Sequence, residues 1–119
     1  MSGSIAVDTN VMVAWDVIER MTDELVRQFD PDRIILFGSH ARGTAGPDSD
    51  VDFLVVLPHV EDKLETTIEM RRRLARFPAA KDIIVTSPEE IRERGDLVGS
   101  ILRPALREGK VVYDRQVER

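Results

Sequence analysis

Phe37-Gly38-Ser39-His40-Ala41-Arg42-Gly43-Thr44-Ala45-Gly46-Pro47-Asp48-Ser49-Asp50-Val51-Asp52-Phe53-Leu54-Val55-Val56 is the stretch of this chain on which its fold turns. Just before it, Arg33 to Phe37 is a β-branched and aromatic run that ends at a glycine, which predicts a buried strand closed by a tight turn. Ser39 opens a short helical turn, and Gly43 to Ser49, rich in Gly, Pro and Asp, reads as a loop. Val51 to Leu57 is a second strand, closed by Pro58. The chain therefore leaves one strand through glycine and enters the next through two aspartates.

Asp50 and Asp52 are two residues apart, so on a strand their side chains share a face. Leu54 and Val56 continue that face as apolar residues, which buries the rest of it. Two carboxylates at the head of a half-buried strand repel each other and lose solvation unless a cation neutralises them. Mg²⁺ suits such a pair, because it prefers carboxylate and phosphate oxygens and keeps water ligands. The alternative is a plain turn, which is our reading for Asp48 and Ser49 but not for the Asp50/Asp52 pair. Gly38 lacks a Cβ, so a phosphate chain can approach its backbone closely. Ser39 offers a hydroxyl and backbone N–H groups at a helix start, and Arg42 adds charge one turn later. Gly43 lets the chain leave with positive φ. Gly-Ser after a strand is a weak signal alone; joined to Arg42-Gly43 and to Asp-x-Asp at this spacing it is a strong one.

Outward from this stretch, Val11, Ala14, Ile18, Met21, Leu25 and Phe29 recur at helical spacing. They predict an amphipathic helix over 9–29, capped by Asp8 or Thr9 and stopped before Pro31, with Glu19, Asp23, Glu24 and Arg27 on its polar side. Trp15, on or beside the stripe, is read as a packing residue or partner contact. Val60, Leu64, Ile68, Leu74 and Phe77 predict a second helix, ended by Pro78. Asp82 to Thr86 reads as a third strand, and Ser87-Pro88-Glu89-Glu90 as a capping box with proline at the first helical position. That helix runs to about Arg94 and breaks at Gly95. Asp96 then caps another reaching about Glu108, kinked by Pro104. Gly109 ends it, and Lys110 to Tyr113 is a final strand. The order α-β-β-α-β-α-α-β describes a compact α/β domain with one sheet and helices mostly on one face.

The 119 residues suit one domain. No cysteine is present, so any metal must be held by oxygen or imidazole. A formal net charge of −5 argues against a surface for non-specific nucleic-acid binding, and no direct nucleic-acid contact is expected. Met1 to Asp8 lacks the pattern of a signal peptide, and no apolar run is long enough to span a membrane, so the cytoplasm is the expected location. Arg71-Arg72-Arg73, with Arg76 close behind, is the only basic cluster. It reads as a solvated helix face, with a docking patch for an acidic partner or substrate phosphate as the alternative.

The segment from Gly38 to Val55 resembles the signature of the DNA-polymerase-β-like nucleotidyltransferases, and within them the minimal nucleotidyltransferase (MNT) group. That pattern is Gly-Ser, ten residues, Asp-x-Asp, and every defining position is present. Pro31-Asp32-Arg33-Ile34 and Leu106-Arg107-Glu108-Gly109-Lys110-Val111 are also similar to the family, so the resemblance covers most of the chain. It implies a single polymerase-β-like domain over 1–119, with the helical segment 9–29 ahead of a catalytic core over 31–119, and a mixed sheet. Members carry a third carboxylate on a later strand, and the matching position is Asp82; a surface aspartate at a strand start is its alternative reading. Asp62, the main competitor, is placed in the first turn of a helix, where the dipole favours a carboxylate.

The resemblance also implies chemistry. Asp50 and Asp52 would hold two Mg²⁺ about 3.5–4 Å apart, and Asp82 would complete the second site and help deprotonate the acceptor. Gly38, Ser39, Arg42 and Gly43 would form the nucleotide-binding turn for ATP, so that the α-phosphate is attacked in line and pyrophosphate leaves. His40 and His59 read as loop or surface residues, with a phosphate or acceptor contact as the alternative for His40. Stand-alone proteins resembling this one are typically antitoxins paired with HEPN-type RNase toxins, which they silence by transferring AMP to a tyrosine. The resemblance therefore implies a protein partner in a hetero-oligomer. Adenylylation of a small-molecule hydroxyl, as in aminoglycoside-modifying relatives, and a non-catalytic antitoxin acting by contact are the alternatives.

Overall fold

The computed structural model describes residues 2–46 and 49–118. Its elements are α1 (Ser2–Phe29), β1 (Arg33–Phe37), α2 (Ser39–Arg42), β2 (Val51–Val56), α3 (Lys63–Arg73), β3 (Lys81–Thr86), α4 (Pro88–Arg94), α5 (Leu102–Glu108), β4 (Lys110–Asp114) and α6 (Arg115–Glu118). The four strands form one mixed sheet in the order β3-β2-β1-β4. β1 runs antiparallel to both β2 and β4, whereas β2 and β3 are parallel, joined by the α3 crossover.

Period-two alternation divides the strand residues between two cores. On one face Ile34, Leu36, Val51, Phe53, Val55, Ile83 and Val85 pack against Val17, Ile18, Met21 and Leu25 of α1 and Met70 of α3. Burying an apolar side chain of this size contributes roughly 1.5–3 kcal/mol, so this face carries most of the stability. The other face has a smaller cluster of Ile35, Leu54, Leu102 and Ala105, with Phe37 and Ile84 at its margin. The larger helices thus lie on one face, as expected, and the short α5 packs under the second.

Several elements depart from the sequence reading. α1 begins at Ser2, so Asp8 and Thr9 lie inside the helix rather than capping it; both residue types are tolerated there at a modest propensity cost. Val11 and Ala14 of the expected stripe lie outside the residues whose side chains are described. Ile18, Met21 and Leu25 are buried and Phe29 packs at the margin, while Trp15 is exposed. α1 stops as predicted before Pro31, with Asp30 turning at φ 49°.

In α3 the apolar stripe is different from the one expected. Leu74 is buried and Val60 and Phe77 pack at the core margin, as expected, but Leu64 and Ile68 are exposed and Met70 is buried in their stead. At 100° per residue, Ile68 and Met70 stand about 200° apart around the axis, so one helix face cannot bury both. Asp62 proves to be the N-cap of α3, accepting from the Glu65 N–H at 3.0 Å. Ser87 caps α4 as predicted, but the Glu90 carboxylate takes Thr86 and Lys63 rather than reaching back. Asp96 caps nothing: α5 starts only at Leu102, and Asp96 instead pairs with Arg107 at 2.9 Å. Pro104 therefore falls in the first turn of α5, where a missing N–H costs no intrahelical bond, and no kink is required. α6 has no counterpart in the sequence reading.

Candidate active site

Gly38 connects β1 to α2 at φ 76°, ψ −155°, a conformation that only glycine adopts readily. The N–H groups of Ala41 and Arg42 both donate to its carbonyl, at 3.1 Å each, closing a single helical turn. Ala41 is buried in the main core and anchors that turn. Gly43 ends it at φ 77°, ψ 18°, as the sequence predicts. Arg42 is exposed at the rim.

What fills the space over Gly38 is Asp52. A Cβ placed on Gly38 would lie 2.2 Å from Asp52 Oδ2 and 3.2 Å from its Cγ. The absent side chain thus makes room for a carboxylate of this same chain, a reason for glycine that the sequence reading did not include. Asp52 is half-buried, paired in register with Phe37 on one side and Asp82 on the other. Residues in register on parallel strands share a face, so Asp52 and Asp82 are neighbours at the heads of β2 and β3. Asp50, exposed, precedes β2 by one residue.

Electrostatics show how closely these groups are gathered. Burial pushes the Asp52 carboxyl above the usual carboxylate range, and the charges of Asp82 and Asp50 push it further; His40 and Arg42 oppose the shift. His40 Nε2 lies 3.3 Å from the Ser49 carbonyl oxygen and ties α2 to the segment entering β2. Ser49 builds a turn with Gly46, whose N–H donates to Ser49 Oγ at 2.9 Å. Asp48, read as part of that turn, lies outside the described residues. The structure therefore brings Gly38, His40, Arg42, Asp50, Asp52 and Asp82 into one neighbourhood, with Ser39 and Gly43 on the same turn. His59 lies beyond β2 at its exit and, among the described residues, pairs with Glu61 alone.

Two arginine contacts were not foreseen. Arg71 of α3 donates to Asp82 Oδ1 at 2.9 Å. Glu24, expected on the polar side of α1, is buried and held by Arg27 and by Arg76 at 3.0 Å, which keep its carboxyl below the usual range. Arg72 and Arg73 both pair with Glu69. The basic cluster is thus mostly neutralised within the chain. A hollow of about 380 Å³ lined by Glu24, Glu69, Arg72, Arg73 and Arg76 shares no residue with the Gly38–Asp52 turn.

A family model for the nucleotidyltransferase domain matches residues 18–111, from within α1 to β4 and including every strand but its last residues. The chain belongs to the nucleotidyltransferase family. Among solved structures, this nucleotidyltransferase is similar to a protein of Sulfolobus solfataricus described as a nucleotidyltransferase, at 18% identity and TM-score 0.59, over 93% of this chain and 88% of that one. It is similar also to a toxin–antitoxin structure with AMP-PNP, at 22% identity and TM-score 0.53, over 84% and 76% of the two chains. A variant of the toxin–antitoxin MntA-HpeT follows at 19% identity and TM-score 0.50, over 84% and 75%. At these identities the likeness is one of fold. No curated protein matches the sequence.

The donors present fit a hard divalent cation. Asp50, Asp52 and Asp82 supply only carboxylate oxygen, and Asp52 is held on Gly38 with no ion pair among the described residues. Mg²⁺ commonly takes one or two carboxylates and completes its shell with water and substrate phosphate. Among the described residues no three acidic or imidazole side chains stand together as a ready-made set, and Asp82 is paired with Arg71.

Proposed function

We propose that this nucleotidyltransferase moves AMP from ATP onto a hydroxyl of a partner protein, acting as the antitoxin that silences a HEPN-type RNase toxin. The observation that carries the transferase chemistry is the seating of Asp52 on Gly38, which joins the phosphate-binding turn to the carboxylates. The toxin–antitoxin neighbours, one with a nucleotide analogue, support the choice of partner and of ATP.

In this reading the α2 turn receives the triphosphate. The Ser39 and His40 N–H groups precede the first bonded donor of the turn, Ala41, and offer themselves to phosphate oxygens together with the Ser39 hydroxyl. Arg42, exposed one turn later, neutralises the same phosphates. Asp50, Asp52 and Asp82 would hold Mg²⁺, two ions in the full site, which when bound would polarise the phosphate and lower the cost of the charge that develops there. Asp82, one strand over from Asp52, would in this reading take the proton of the acceptor hydroxyl. With the β- and γ-phosphates fixed on the turn, the α-phosphate presents its in-line face to the acceptor and pyrophosphate departs.

The test is incubation with Mg²⁺ and α-phosphate-labelled ATP in lysate of the host, comparing wild type with the Asp50→Ala/Asp52→Ala double variant. A labelled protein band formed by wild type alone is expected. Label in a small molecule would move the acceptor to that class. No transfer from a protein that still neutralises a partner would leave inhibition by contact.

A further inference from the structure

Asp82 stands at the head of β3, one of the two edge strands of the sheet. Its neighbours Ile83 and Val85 face the main core, and Ile84 faces the smaller one. Alternation therefore sends Asp82 to the same side as Asp52 and Leu54, away from the face that α3 covers. Arg71 nevertheless reaches it from α3, around the sheet edge. Its Nη2 donates to Asp82 Oδ1 at 2.9 Å and its Nη1 to the Lys81 carbonyl at 3.2 Å. One guanidinium thus clamps a carboxylate and the preceding backbone carbonyl together.

We propose that Arg71 is the resting counter-ion of Asp82, holding it at the sheet edge until a divalent cation on Asp50 and Asp52 claims it, so that cation binding competes with the ion pair. The inference rests on the reading of those three aspartates as cation ligands. Two features make the exchange feasible. Both partners are about half exposed, 47% for Arg71 and 55% for Asp82, and exposed pairs of this kind are weak. The junction also does not depend on Arg71 alone. Lys81 Nζ independently donates to the Leu74 and Phe77 carbonyls at 2.9 and 3.2 Å, stitching the end of α3 to β3. Arg71 can release its carboxylate while β3 keeps its place. A like charge already resides on Asp52 and Asp50, so a cation arriving there gains a third carboxylate and relieves their mutual repulsion.

The experiment measures Mn²⁺ binding to the nucleotide-free full chain by the electron paramagnetic resonance signal of the free ion. The chains compared are wild type, Arg71→Gln, Arg71→Lys, Asp82→Asn, Arg71→Gln/Asp82→Asn and Asp52→Asn. Arg71→Gln is expected to bind Mn²⁺ about two- to fivefold more tightly. Arg71→Lys keeps the charge but not the two-point clamp, and should fall between it and wild type. In the Asp82→Asn background the gain from Arg71→Gln should shrink to the residual effect of removing a nearby charge. An equal gain in both backgrounds, or no gain at all while Asp52→Asn loses Mn²⁺, would overturn the proposal and leave the site reading intact. Undiminished binding by Asp52→Asn would overturn the site reading, and the proposal with it.

Discussion

Asp52 and Asp82 sit in register on adjacent parallel strands, yet their surroundings are opposite. Asp52 lies against glycine in a half-buried niche, beside two other carboxylates, and its charged form is disfavoured. Asp82 is exposed at the sheet edge and already has an arginine. The fold thus keeps one carboxylate short of a cation and supplies the other with a provisional one. A protein selected only for stability would have no use for the first arrangement, because it leaves like charges to repel one another. The contrast marks where the chain carries an unrelieved charge, as the proposed cation site requires.

The sharpest way to break the contrast is at Gly38. Alanine there meets both a glycine-only backbone conformation and the Asp52 carboxylate at 2.2 Å from the new Cβ. Gly38→Ala should lose about 1–3 kcal/mol of stability, and label transfer should fall to background because Asp52 must leave its place. Chemical denaturation and the labelled-ATP assay check both. A variant with wild-type transfer would show that the seat of Asp52 on Gly38 is dispensable.

Neutralising the two aspartates in turn should move stability in opposite directions. Asp52→Asn removes a disfavoured charge and is expected to stabilise the cation-free protein at neutral pH by about 0.5–1 kcal/mol, allowing for partial exposure to solvent. The sign follows from the raised pKa. Protonation is favoured in the folded state, so ionisation works against folding once pH rises through the folded value. The advantage of Asn should therefore shrink as pH falls through that value, where wild type becomes neutral too. Transfer should drop about a hundredfold or more. Asp82→Asn instead gives up an ion pair, and should lose about 0–1 kcal/mol. Melting curves of both variants across pH 4–8 would expose any failure of this opposition.

The part of the site carried by chain spacing was legible in the sequence, and the part carried by contact between distant elements was not. Gly38, Gly43, Asp50 and Asp52 follow from two strands joined by one turn, where alternation and backbone conformation dictate the geometry locally. Asp82 came from family resemblance, and its register opposite Asp52 needed the sheet. Arg71 was invisible, because whether a long side chain on α3 turns to solvent or around the sheet edge is decided by how α3 packs. The same limit explains α3 itself. Leu64 and Ile68 compete with Met70 for the buried face, Leu74 being common to both readings, and only the docking of the C-terminal half on the sheet chooses between them. Asp96 and Ser87 both look like caps, but only Ser87 is followed by an uninterrupted helix.

Gly43 provides a smaller effect in the same turn. It is left-handed at φ 77°, but nothing stands within 4 Å of where a Cβ would be. Gly43→Ala should therefore lose only about 1 kcal/mol from backbone strain, and Gly43→Asn less, because Asn tolerates that region. Transfer should survive in both, unlike Gly38→Ala. An equal loss of transfer at the two glycines would mean that the turn matters for its conformation alone and not for the space it leaves to Asp52.

The smallest expected effect tests whether Arg71 differs from the run it belongs to. Arg72 follows it directly and carries the same charge, but its partner is Glu69, three residues earlier on the same helix, at 3.0 Å. Such a pair is worth about 0.3–0.5 kcal/mol, and Arg73 remains on Glu69 when Arg72 is gone. Arg72→Gln should therefore shift stability by less than about 0.5 kcal/mol. It should change Mn²⁺ affinity by less than about twofold, since screening by salt weakens a charge with no direct contact to the site. If Arg72→Gln tightened Mn²⁺ binding as much as Arg71→Gln, the basic run would act through its summed field. If only Arg71→Gln does so, the difference between the two arginines is the carboxylate each one holds.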